Sequence, residues 1–122
     1  EMGMHLPSSI AAYQVYLATL NAEDSEVVRV GDKIYEDLLS GTESEEEKQR
    51  VLIRLASAYF RLNQFQKSIE ATQQLIDLAI DVESVSNALF IQGNSYFKSE
   101  DYTRAIEIYA SIIEKVIVAV FT

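Results

Sequence analysis

The residues best placed to do chemistry in this chain are cationic. Arg50, Arg54, Ser57 and Arg61 follow one another at steps of four, three and four. That spacing sets them in one stripe along a helix. A second stripe of the same kind runs through Asn87, Ile91, Asn94 and Lys98, with Ile53 and Phe90 beside the two. Four of the ten basic residues thus gather on one face of a chain whose net charge is −9. A guanidinium is a planar fork that suits a carboxylate, so the chemistry implied is recognition of an acidic or carboxylate-ended partner. The plainer alternative is a solvated helix face in which Glu46 pairs with Arg50 at i,i+4.

Catalytic groups are sparse. The only histidine is His5, close to the start, and there is no cysteine, which removes thiolate ligands and nucleophiles. The four glycines, Gly3, Gly31, Gly41 and Gly93, form no phosphate loop, and no Gly-x-Ser-x-Gly occurs. The acidic run from Glu43 to Glu47 lacks the alternating ligands and central glycine of a calcium loop; a helix start explains it better. The expectation is therefore a chain without catalysis, cofactor or metal.

Composition narrows the partners. A pI near 4.5 opposes binding to a phosphate backbone. The longest apolar run, Val116 to Phe121, falls far short of the roughly eighteen residues of a membrane span. The compartment stays open, with the cytoplasm favoured and an exported bacterial compartment the alternative. Residues 1–5 read as a disordered or cloning-derived lead, and residues 6–122 as one domain.

The elements that must position the stripes are helices. One proline and four glycines leave little hairpin chemistry for strands, and apolar residues recur at steps of three and four. The spacing predicts helices near 8–20, 24–40, 44–62, 65–80, 84–98 and 101–119, paired into three hairpins. Thr42-x-x-Glu45 and Ser44-x-x-Glu47 are capping boxes before the third helix, Ser84 is the expected cap of the fifth, and Gly41 closes the second. Leu55, Ala56, Tyr59, Ile69, Leu75, Leu89, Gly93, Tyr96, Ala105, Ile106 and Ile112 are the expected core.

The chain also repeats itself. YFRLNQFQKSIEATQQLI, from Tyr59, returns as YFKSEDYTRAIEIYASII from Tyr96, a period of 37 residues. Such a period signals stacked hairpins, none of which can bury its apolar face alone. Ala56 and Gly93 hold matched small-residue slots three before the tyrosines. Phe65 and Tyr102 stand three before the small residues Ser68 and Ala105. With Leu55, this pattern resembles the tetratricopeptide repeat family over residues 44–114, and only weakly over 6–41. The family proline after the second helix is missing, the period is about three residues longer than usual, and the counterpart of Leu55 is Gln92.

The resemblance implies an all-α, right-handed superhelical stack of three antiparallel helix hairpins, a scaffold whose concave groove holds a peptide or partner protein. The groove of this family that grips C-terminal carboxylates uses lysines and asparagines from three hairpins. Asn94 lies on the matching face, while the first hairpin offers no recognisable counterpart. The candidate partner-binding set is then Arg50, Ile53, Arg54, Ser57, Arg61, Asn87, Phe90, Ile91, Asn94 and Lys98. The competing reading is structural. The sixth helix ends apolar on every side, where repeat stacks need a polar cap, so the chain is expected to form a homo-oligomer, or one segment of a larger solenoid, through that helix.

Overall fold

In the computed structural model, which describes residues 6–41, 44–78 and 80–122, the chain forms six helices. They are α1 (Leu6–Leu20), α2 (Asp24–Ser40), α3 (Glu45–Arg61), α4 (Phe65–Leu78), α5 (Val82–Lys98) and α6 (Tyr102–Phe121). No strand occurs among the described residues. The helices pair as α1–α2, α3–α4 and α5–α6, and each hairpin packs on the next through α2 on α3 and α4 on α5. The odd helices α1, α3 and α5 also touch in succession, whereas among the described residues the even helices do not touch one another. A stack closer on one side than the other bends toward the close side, so the odd helices line the concave face.

Local chemistry explains where the helices begin and turn. Ser44 Oγ accepts a hydrogen bond from the Glu47 amide at 3.2 Å, and Glu45, Glu46 and Glu47 complement the positive end of α3. The other capping box, on Thr42, and the expectations for residues 1–5 lie outside the described residues. Helix α5 starts two residues earlier than its spacing suggests, because Asp81 caps it and Ser84 supplies the donor: its amide reaches Asp81 Oδ1 at 2.7 Å. Each hairpin turn passes through one left-handed residue, Asn21 (φ 45°), Asn63 (φ 62°) or Glu100 (φ 66°). In the second and third turns the next amide, of Gln64 or Asp101, returns to the tyrosine carbonyl of Tyr59 or Tyr96, at 2.8 and 2.9 Å.

The sequence duplication reappears as duplicated contacts. Phe60 meets Phe65 edge to face at 5.7 Å, and their counterparts Phe97 and Tyr102 do the same at 5.4 Å. Lys67 lies over the Tyr59 ring and Arg104 over the Tyr96 ring, both at 5.8 Å. The turns of the second and third hairpins are thus built from the same four positions, with Tyr102 for Phe65 and Arg104 for Lys67.

Helix contacts are close at two glycines. A Cβ on Gly31 of α2 would lie 2.1 Å from Cδ2 of Leu55 in α3, and one on Gly93 of α5 would lie 2.7 Å from the Tyr109 ring of α6. Around the first contact sits a buried apolar cluster: Val27, Leu38, Val51, Leu52, Leu55 and Ala56, with Tyr13, whose hydroxyl donates to the Val27 carbonyl at 3.1 Å. Gln92, which stands where the family leucine is expected, is buried, and its Nε2 donates to Thr72 Oγ1 and Gln73 Oε1 at 3.4 and 3.3 Å. Beside it, Ser95 Oγ lies 3.2 Å from Ser68 Oγ, which donates to the Ala56 carbonyl. The seam between α4 and α5 is therefore polar but paired, and burial there does not leave a donor stranded.

The expected core holds at Leu55, Ala56, Tyr59, Leu75, Leu89, Gly93 and Ala105, all buried. Ile69, Tyr96 and Ile112 are half-buried. Ile106 is a correction: it is 66% exposed, because α6 packs only against α5 and this residue lies on the opposite face.

Candidate functional site

The basic stripe lies on α3 and the stripe from Asn87 to Lys98 on α5, and both helices line the concave face. Two cavities open there. One, of about 450 Å³, lies between α1 and α3 and is lined by Gln14, Leu17, Ala18, Arg50, Val51 and Arg54. The other, of about 220 Å³, lies between α3 and α5 and takes in Gln49, Arg50, Ile53, Leu75, Glu83 and Asn87. Arg50 is common to both. It is exposed and forms no ion pair among the described residues.

Arg54 and Arg61 are differently placed. Arg54 Nη1 donates to Asp24 Oδ1 at 3.0 Å and its Nη2 to the Ala22 carbonyl at 3.0 Å. Arg61 donates through Nε to Asp24 Oδ2 at 2.6 Å and through Nη2 to Asp24 Oδ1 at 2.9 Å. One carboxylate at the start of α2 thus holds two guanidinium groups of α3 in fixed orientation and cancels one of their two charges. Hydrogen bonds from Arg61, then from Arg54, bring the Asp24 carboxyl down to about 2 despite the opposing effect of burial.

That depression sets a pH dependence. The folded-state value lies below the unfolded one, so the contribution of Asp24 to stability is complete above the ordinary carboxylate range. It is lost as pH falls toward about 2. Acid denaturation of the native chain and of Asp24→Asn should show a constant stability difference above about pH 4 that shrinks steadily below it. A difference independent of pH down to 2 would mean the pair contributes nothing.

The remaining predicted residues divide. Ile53 and Asn87 meet Arg50 at the second cavity. Ser57 and Ile91 are half-buried, Phe90 is exposed on α5, and Lys98 is exposed in its last turn. Asn94 is engaged elsewhere: its Oδ1 accepts the Tyr109 hydroxyl from α6. The structure thus gathers Arg50, Ile53, Arg54 and Asn87 around two adjoining cavities and leaves Lys98 apart at the turn end, without an ion pair among the described residues.

Sequence reasoning missed α1. Gln14 lines the first cavity, and its buried Nε2 has no hydrogen-bond partner among the described residues. The one available signal was that Gln14 is the only amide side chain in an otherwise uncharged helix. Among the described residues, no group of three or more histidines or carboxylates is arranged to hold a metal ion. No helix there is long and apolar enough to cross a membrane.

Six helices in three hairpins, stacked even helix on odd helix with an open concave face, define an α-helical repeat scaffold. The family described as Tetratricopeptide repeat matches residues 50–79 and 87–116, the second and third hairpins, and the chain belongs to it. Repeats of this family in general mediate protein–protein interaction. No curated protein and no solved structure shows significant similarity to the chain. The first hairpin, outside the matched residues, continues the stack without the motif: Tyr13 pins α1 to α2 through the Val27 carbonyl.

Proposed function

We propose that the chain binds a protein partner, without catalysis, by holding an acidic or carboxylate-ended peptide along its concave face, with Arg50 at the centre. The observation that carries this reading is Arg50, exposed between two cavities and without an ion pair among the described residues. Its guanidinium only donates, and a peptide carboxylate only accepts. Arg54 and Arg61, fixed by Asp24, contribute oriented donors and one net positive charge. Lys98 extends the field along α5. Ile53, Phe90 and Ile91 supply apolar contact, and Ser57, Asn87 and the Nδ2 of Asn94, whose Oδ1 is held by Tyr109, supply polar contact, the mixture that peptide grooves use. A net charge of −9 around a basic concavity repels acidic partners from the rest of the surface and argues against nucleic acid as the ligand.

The test is fluorescence anisotropy with a labelled Glu/Asp-rich hexapeptide ending in a free carboxylate. Binding should weaken with added salt, since exposed charge pairs are screened over about 10 Å at 0.1 M. Arg50→Glu with Lys98→Glu should reduce affinity by at least about tenfold, as charge-assisted hydrogen bonds contribute roughly 1.5–3 kcal/mol each. Arg54 is a poorer probe, because reversing it would also set two carboxylates against each other at Asp24. Unchanged affinity in the double variant would remove the groove from consideration.

A second reading has its own observation. Val116, Ile117, Val118, Val120 and Phe121, at the end of α6, are all exposed. An apolar surface of that kind marks a site of association, and it supports self-association or packing within a larger solenoid.

A further inference from the structure

Helix α6 presents an uncharged row, Ile106, Ala110, Ile113, Ile117 and Val120, at helical spacing, and every one of these residues is exposed. One repeat earlier, 37 residues back, the first three correspond to Ile69, Gln73 and Ile76 of α4. That face of α4 borders α5: Gln73, itself exposed, accepts the Gln92 amide, and the half-buried Ile69 and Ile76 flank it, Ile76 packing against the core. The row on α6 is thus a surface for an odd helix, with no odd helix among the described residues upon it.

The complementary surface is on α1. In α5, Gly93 faces its own partner α6, while Gln92 and Ser95 face the preceding helix α4. In α1, Tyr13 faces its own partner α2. The same offset puts Ala12, Val15 and Thr19 on the side where a preceding even helix would lie, and all three are exposed. Helix α1 carries no charged residue, so nothing ionised is desolvated by covering it. Small side chains at Ala12 and Thr19 allow a close helix approach of the kind seen at Gly31 and Gly93.

We propose that the exposed row of α6 docks on this face of α1 in a second copy of the chain. Copies then add head to tail, and the even-on-odd packing used twice within the chain, α2 on α3 and α4 on α5, continues across the boundary. The proposal rests on the self-association reading above and names both of its surfaces. A heterologous contact of this kind is open-ended unless its rotation closes a ring.

Sedimentation of the whole chain and two blocked forms tests it. Ile113→Glu with Ile117→Glu blocks α6; Val15→Glu blocks α1. The native chain should grow beyond a dimer as concentration rises, and each blocked form alone should remain monomeric. An equimolar mixture of the two should double in mass and stop there, because each form retains the surface the other lacks. If Val15→Glu associates like the native chain while the α6 variant is monomeric, self-association stands but joins α6 to α6, and the head-to-tail contact is wrong. A native chain monomeric at every soluble concentration overturns both. Should either variant lose its helical circular dichroism, Ile113→Lys with Ile117→Lys and Ala12→Glu give the same test.

Discussion

A chain carrying Leu55→Ala is expected to lose about 2–5 kcal/mol of folding stability, measured by urea denaturation. Leu55 is fully buried, and Cδ2 of its side chain fills the space that the missing Cβ of Gly31 leaves open. Truncation therefore removes the contact on which α2 and α3 close, at the centre of the apolar cluster. Relaxation is restricted because both flanking helices are packed on further neighbours. The same geometry predicts a coupling. Gly31→Ala alone should destabilise, since its new Cβ would collide with Leu55, yet in the Leu55→Ala background it should be neutral or favourable by refilling the cavity. Additive effects of the two changes would show that the helices do not meet there.

Gly93→Leu is expected to destabilise by about 1–3 kcal/mol through overpacking. Even a bare Cβ at this position meets the Tyr109 ring at 2.7 Å and Ile108 Cγ2 at 3.1 Å. Whether a clash is costly depends on whether the neighbour can yield. Tyr109 cannot yield easily: its hydroxyl is tied to Asn94 on the same helix as Gly93. A thermal melt of Gly93→Leu should shift down by several degrees or more, and Gly93→Ala should shift it less. An unchanged melt would show that α5 and α6 tolerate a wider separation.

The fold was legible because its signals are local and repeated. Tyr59 and Tyr96, Ala56 and Gly93, and Phe65 and Tyr102 each recur 37 residues apart, and helical spacing around them located six helices to within a few residues. The sequence points to Ser84 as the cap because it stands directly before the apolar run, whereas Asp81, three residues nearer the turn, accepts the Ser84 amide and caps the helix. Ile106 was assigned to the core because a periodic apolar residue looks the same whether or not a helix covers it. Periodicity identifies a face; it does not identify what lies against that face.

The site was legible only in part, for a physical reason. The stripe on α3 follows from spacing within one helix, and Arg50, Ile53 and Asn87 do share a cavity. That Arg54 and Arg61 both reach Asp24, 30 and 37 residues away, depends on the register in which the first hairpin stacks on the second. That register is set by the Gly31–Leu55 contact, and the Gly31 side of it lies in the first hairpin, where the repeat motif is absent. The engagement of Asn94 by Tyr109 is likewise a contact between helices, and the role of Gln14 requires α1 and α3 to be neighbours.

The most direct test of the central claim is backbone amide chemical-shift mapping while the acidic, carboxylate-ended hexapeptide is added to the native chain. The account predicts perturbations concentrated on the odd helices, at Gln14, Arg50, Ile53 and Asn87, that disappear in Arg50→Glu with Lys98→Glu. Perturbations confined to α2, α4 or α6, with the amides around Arg50 unmoved, would contradict it.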